Sequence, residues 1–339
     1  MTALQTTWFF IIGLLLTAYA ILDGFDLGVG FWHLFTKTDR DRRTLLGAIG
    51  PVWDGNELWL LTASGAIFAA FPPVYATVFS GLYLALMLVL FGLIFRAVAI
   101  EFRGHDPSPR WRSAWDAAFA MGSVVPALLF GVAVGNIVRG LPLDEAGDFA
   151  GSFIGLLNPY ALVVGLLGLA MFATHGALYV AVKTDGRLAA RARRWAQNAW
   201  IIYLLLFVVV SAATLATQAQ VRANYEAAPA LWVLPVCALV AIVMVGVLNR
   251  RGDVRKAFVS SALSIAALMG LWGAAIFPNL VPALDRPEWS LTAMNASSSE
   301  LTLKTMLVLA AVAMPLVIVY TTWVYRTFGG KVELGEDEY

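Results

Sequence analysis

The sequence predicts an all-α integral membrane protein of nine transmembrane helices, two four-helix bundles related by a parallel internal repeat plus one peripheral helix. Three observations predict it. Of the 339 residues, 60% are hydrophobic and only 13% charged, where a water-soluble domain carries about 25% charged residues. Nine apolar runs are each long enough to cross roughly 30 Å of hydrocarbon, which takes about 20 residues of helix. Basic residues are segregated to alternate connections between those runs.

The runs lie near residues 8–32, 48–70, 74–100, 114–138, 158–182, 196–217, 229–249, 257–277 and 303–327. None alternates with period two, which excludes transmembrane β-strands. The longest connection, from Pro278 to about Thr302, is too short for a soluble domain. Met1 to Thr7 lacks a basic stretch, and the first run is longer than the apolar core of a signal peptide, so no removable signal is expected. The single cysteine, Cys237, lies inside the seventh run and is expected to be a buried, small apolar side chain; it permits no intrachain disulfide. Trp8, Trp32, Trp195, Trp232, Trp289 and Trp323 fall near run ends and are expected in an aromatic belt at headgroup level. The 23 basic and 22 acidic residues nearly cancel, and no nucleic-acid partner is expected.

The placement of the charges says more than their sum. The connections after the first, third, fifth and seventh runs, with the segment after the ninth, hold 18 lysines and arginines. The other side holds four: Arg139, Arg222, Arg286 and Lys304. By the positive-inside rule the N-terminus is outside and the C-terminus cytoplasmic. Residues 8–24 also align with residues 160–176, with identities at Gly13/Gly165, Leu14/Leu166, Leu15/Leu167, Ala18/Ala170 and Gly24/Gly176. Both segments run from outside to inside, and a basic loop with a Thr-Asp pair follows each, so the repeat unit is four helices in parallel orientation. The expected units are residues 1–140, a first bundle with the acidic motifs, residues 141–280, a second bundle, and residues 281–339, the ninth helix and a cytoplasmic tail.

An ionisable side chain within hydrocarbon costs at least about 2.5 to 3.5 kcal/mol, so each one is a functional candidate. Asp23, Asp26, Asp54, Glu57 and Arg96 qualify, with Glu101 and Asp116 nearer the basic ends. Asp23 and Asp26 share one helix face, and Gly24, Gly28 and Gly30 beside them admit a neighbouring backbone. A second run helical from Arg43 would carry Asp54 roughly 16 Å into the membrane, with Glu57 one turn further. The four carboxyls could then form a ladder from the cytoplasm to mid-membrane, as a proton path requires, because carboxyls removed from water exchange protons near working pH. The structural alternatives are local. Asp23 or Asp26 could pair with Lys37 or Arg42, Asp54 could cap a helix broken after Pro51, and Arg96 could snorkel, neutralise a carboxylate, or bind a lipid or cofactor acid.

Haem held between membrane helices needs axial ligands at depth. Of three histidines only His175 lies within a run, His33 and His105 falling at boundaries, so the chain is not expected to bind haem alone. No phosphate-binding glycine loop, zinc spacing or nucleophile elbow occurs. On residues alone a proton-coupled secondary transporter, a redox-complex subunit and a structural scaffold all fit.

Leu22-Asp23-Gly24-Phe25-Asp26-Leu27-Gly28-Val29-Gly30 and Pro51-Val52-Trp53-Asp54-Gly55-Asn56-Glu57-Leu58-Trp59-Leu60 closely resemble the first two helices of subunit II of cytochrome bd quinol oxidases. The resemblance continues through Phe71-Pro72 with Tyr75-Ala76, Phe79-Ser80-Gly81-Leu82-Tyr83, Phe95-Arg96, Trp115-Asp116, Gly131-Val132-Ala133 with Gly135-Asn136, and Leu157-Asn158-Pro159. It implies a haem-free subunit in a bacterial plasma membrane, paired with a subunit I that holds haem b, haem d and the quinol-binding loop. Such a complex oxidises ubiquinol or menaquinol, reduces dioxygen to water and takes the protons from the cytoplasm. Subunit II would scaffold subunit I and supply part of the proton path; a structural quinone, bound lipid and small single-helix accessory subunits accompany some members. Asp23, Asp26 and Asp54 coincide with the family's acidic positions. The family pattern is not assumed for Glu57 or His175, and no residue is assigned to a quinone.

Overall fold

The computed structural model describes residues 2–333; the last six residues of the expected cytoplasmic tail lie outside the described residues. The chain is mostly helical. In order it forms α1 (Ala3–His33), α2 (Asp39–Ile49), α3 (Trp53–Ala70), α4 (Pro72–Gly81), α5 (Tyr83–Phe102), α6 (Pro109–Arg139), α7 (Phe153–Leu156), α8 (Pro159–Lys183), α9 (Gly186–Thr217), α10 (Ala219–Ala227), α11 (Val233–Arg251) and α12 (Val254–Ile276). A short antiparallel pair, β1 (Asn279–Val281) and β2 (Leu291–Thr292), precedes α13 (Glu300–Thr327).

Local chemistry marks the starts and stops. Thr2 and Gln5 form a reciprocal capping box on α1. Asn158 caps α8 ahead of Pro159, and Ser299 caps α13. α11 ends on Gly252 at φ 90°, a left-handed conformation that a side chain disfavours, and the chain turns directly into α12.

Among the described residues eight helices are long and apolar enough to cross a membrane: α1, α5, α6, α8, α9, α11, α12 and α13. The run expected at residues 48–70 divides instead. Gly50, Pro51 and Val52 separate the amphipathic α2 from α3, because proline offers no N–H and its ring clashes within a helix. Asp54 therefore stands in the first turn of a new helix, not deep in one continuous from Arg43. Asp54, Asn56 and Glu57 in the opening turns also keep the 18-residue α3 less apolar than the eight. The run expected at residues 74–100 is likewise broken, at Leu82, between α4 and α5.

α1 packs on α3, α6, α8 and α12, while α8 packs on α1, α6, α9 and α12. The two helices touch backbone to backbone where they cross. A Cβ on Gly28 would lie 2.0 Å from the carbonyl oxygen of Phe172, and one on Gly176 2.4 Å from the carbonyl carbon of Gly28. Small residues allow such an approach in membranes, where packing rather than water exclusion holds helices together. α13 leans on α1 and α3, with Leu303 buried and the outer side of its apolar stretch exposed. Beyond it the chain returns to the α8–α9 connection, the Val332 N–H donating to the Lys183 carbonyl at 2.9 Å. At the N-terminal end the α6–α8 connection and the β1–β2 pair cap the helices, Leu141 bridging to Ala283.

Two sequence expectations are corrected. Trp8 and Trp32 are buried, their indole N–H groups donating to the carbonyls of Leu303 at 3.1 Å and Ala173 at 2.7 Å, and Trp32 stacks on Trp195. Satisfied indole donors make these residues part of the helix packing, whereas Trp232 and Trp323 are exposed. Cys237 is exposed on α11, because that helix packs on α9 and α12 with Ala238, Ile242 and Val245 facing inward.

Candidate functional site

The buried charges of the first helices collect around one arginine. Arg96, on α5, donates from Nη2 to Asp23 Oδ1 on α1 at 2.7 Å and to Glu57 Oε2 on α3 at 3.1 Å. The Asp23 and Arg96 side chains are 0% exposed and that of Glu57 22%. Asp26, also buried, is held separately: Asn56 Nδ2 donates to Asp26 Oδ2 at 2.8 Å and to the Leu22 carbonyl at 3.1 Å. The Tyr325 hydroxyl of α13 then donates to Asn56 Oδ1 at 2.7 Å. The Tyr19 hydroxyl, Asp23 Oδ2, Asp26 Oδ1 and Arg96 Nε and Nη1 are buried without a hydrogen bond to any described residue.

Of the five candidates, Asp23, Glu57 and Arg96 meet directly, and Asp26 joins them one turn along α1. Asp54 does not. It is exposed on α3 and makes no hydrogen bond or ion pair among the described residues. Two carboxyls thus share one guanidinium, and a third is held beside them by Asn56.

Neither Lys37 nor Arg42 reaches Asp23 or Asp26. Arg42 instead joins a second network at the end of the molecule bearing the basic connections. Asp116 of α6 accepts from Arg42 Nη1, Arg103 Nε and the His33 ring, each at 2.6 Å. Arg103 also reaches Asp39 at 2.7 Å, and Arg191 pairs with Asp41 at 2.8 Å. These bonds tie α2 and the connections beside it to α1, α5, α6 and α9.

His175 lies fully buried on α8 with both ring nitrogens engaged, Nδ1 with Ser261 Oγ and Nε2 with the Ile21 carbonyl at 3.1 Å. Phe258 stacks on its face at 4.5 Å. An axial haem ligand needs a free ring nitrogen at depth. With His33 held by Asp116 and His105 exposed in the turn that follows α5, these histidines do not fit a haem. Among the described residues no group of three or more His, Cys, Asp or Glu side chains could hold a metal ion.

Asn56, Tyr19 and Tyr325 escaped the sequence reading, which weighed formal charge alone. A signal existed for Asn56. The buried residues of α3 are Asn56, Ala63 and Ala70, spaced by seven, which is one helix face. That spacing turns the asparagine inward and Asp54 outward.

The sequence model for the family described as cytochrome bd terminal oxidase subunit II matches residues 4–328. This chain belongs to that family. The cytochrome bd-I ubiquinol oxidase subunit 2 of Escherichia coli (strain K12) is 36% identical over 360 residues, covering 97% of this chain and 95% of that protein. The cytochrome bd ubiquinol oxidase subunit 2 of Bacillus subtilis (strain 168) is 31% identical over 334 residues, covering 98% of each. In fold, the chain matches a solved chain of the bd oxidase from Geobacillus thermodenitrificans with a TM-score of 0.78 at 18% identity, over 96% of this chain and 99% of that one. A cytochrome bd subunit II is a multi-pass membrane component of a respiratory oxidoreductase. The family implies haem in the complex, a quinol substrate and a partner subunit I.

Proposed function

We propose that this chain is the haem-free subunit II of a cytochrome bd-type quinol:oxygen oxidoreductase. It pairs with the haem-bearing subunit I, supports its assembly and supplies part of a cytoplasmic proton path for reduction of O2 to water. It is not catalytic alone; quinol oxidation and oxygen reduction belong to the partner. Nine segments cross the membrane, α3 serving as the short second span, with the N-terminus outside and the C-terminus cytoplasmic. Residues 1–140 and 141–280 form the two bundles, and residues 281–339 carry the peripheral α13 and the tail.

One observation carries the reading: the acids are graded in exposure from the protein interior to the surface of α3. Asp26 and Asp23 are buried, Glu57 is partly exposed, and Asp54 is open. Within hydrocarbon such carboxylates are penalised by kilocalories, which favours a second chain covering this face. Protons from the basic side would pass Asp26 and Asp23 and leave by Glu57 and Asp54 toward that chain. Arg96 keeps the buried carboxyls in register for the transfer.

The test is to pull the complex from native membranes through a tag on this chain and record a reduced-minus-oxidised visible spectrum. The expected result is type b haem signals and the far-red band of a chlorin haem, travelling with a second large membrane chain. A colourless single-component preparation from aerated and oxygen-limited cells alike overturns the proposal.

A further inference from the structure

At the end of the molecule bearing the basic connections, a cavity of about 260 Å³ lies between the α1–α2 connection and the start of α6. Its wall holds four cations, Lys37, Arg42, Arg103 and Arg112, against two carboxylates, Asp39 and Asp116. The carboxylates are fully committed. Asp116 takes Arg42, Arg103 and His33, and Asp39 takes Arg103 and, at 3.3 Å, Arg112. Two positive charges remain in excess, and Lys37 has no ion-pair partner among the described residues.

Two further observations point to an anion. Arg103 is 2% exposed, yet its Nη1 makes no hydrogen bond to any described residue, and neither does Arg112 Nε. A buried guanidinium with a spare N–H on the wall of a cationic cavity is a donor waiting for an acceptor. The cavity is also lined by Pro109, Arg112 and Ser113 in the opening turns of α6, a 31-residue helix whose N-cap, Ser108, makes no side-chain capping bond. The positive dipole end of a long helix favours an anion at that place.

We propose that this cavity binds a phosphate-bearing anion, either free phosphate or the headgroup phosphate of an anionic lipid. The site is independent of the proton path: Lys37 and Arg112 touch none of Asp23, Asp26, Asp54, Glu57 or Arg96.

The experiment uses the whole complex in nanodiscs, wild type against Lys37→Gln/Arg112→Gln, which keeps the three donors on Asp116. Inorganic phosphate binding is measured at fixed ionic strength in phosphatidylcholine discs, and retention of phosphatidylglycerol is measured by native mass spectrometry. Removing two cations should weaken the bound species at least about tenfold with oxygen consumption unchanged. Saturable phosphate binding lost in the variant assigns free phosphate, and phosphatidylglycerol retention lost in the variant assigns the lipid. Ser113→Glu is the second variant, since it adds a carboxylate to the cavity mouth without breaking an ion pair. It must give the same loss even where the double variant assembles poorly. If neither probe distinguishes Ser113→Glu from wild type, the proposal fails.

Discussion

Replacing Arg96 by leucine is the sharpest test of how the buried charges are held. At 2.7 and 3.1 Å, and with an effective dielectric constant of about 20, the two contacts of Arg96 represent gross attractions of about 6 and about 5 kcal/mol. Most of that only offsets the cost of taking the charges out of water. Deleting the arginine is different, because it strands its partners. Glu57, 22% exposed, can turn outward, whereas Asp23 at 0% cannot. Loss of one member of a buried pair costs about 3 to 5 kcal/mol, a large part of the 5 to 15 kcal/mol that holds a typical domain. Asp23→Asn alone should cost less, since Arg96 keeps Glu57. The double variant Asp23→Asn/Arg96→Leu should recover most of the Arg96→Leu loss, a coupling that a double-mutant cycle measures directly. Detergent-titrated unfolding followed by circular dichroism gives the four stabilities. If Arg96→Leu lies within about 1 kcal/mol of wild type, or the double variant is no better than Arg96→Leu, the network does not carry the energy assigned to it.

The other predictions concern single contacts. Asn56→Leu leaves Asp26 Oδ2 and the Tyr325 hydroxyl unpaired and should cost about 1 to 3 kcal/mol; amide exchange at the end of α13 should accelerate, and unchanged exchange there would show that the Tyr325–Asn56 bond does not hold α13. Gly28→Ala places a methyl 2.0 Å from the Phe172 carbonyl oxygen and should cost about 1 to 3 kcal/mol or prevent assembly, whereas Gly13→Ala on the same helix meets nothing within 4 Å and should be neutral or slightly stabilising. Size-exclusion profiles and melting temperatures separate the two. Asp54→Asn should slow oxygen consumption more than it lowers the amount of assembled complex, and wild-type turnover in a fully assembled variant rules out an essential role for that carboxyl.

The sequence alone determined which parts of this chain leave water. Apolar transfer energies add along a run, so α1, α6, α8 and α13 could be placed within a few residues of their helices. The choice of acidic candidates was equally legible, because a carboxylate in an apolar run stands out against the cost of burying it. Which of those acids meet was decided only by tertiary structure. Gly50-Pro51-Val52 broke the expected second helix, and the start of a helix sets which face each later residue occupies, so Asn56 turned inward and Asp54 outward. Arg42 had Asp23 and Asp26 as possible partners on sequence grounds; the packing of α1, α2, α5 and α6 gave it Asp116. Burial is additive and local, so a sequence carries it openly. Pairing depends on distances of a few ångströms between separate helices, and those exist only once the helices have packed.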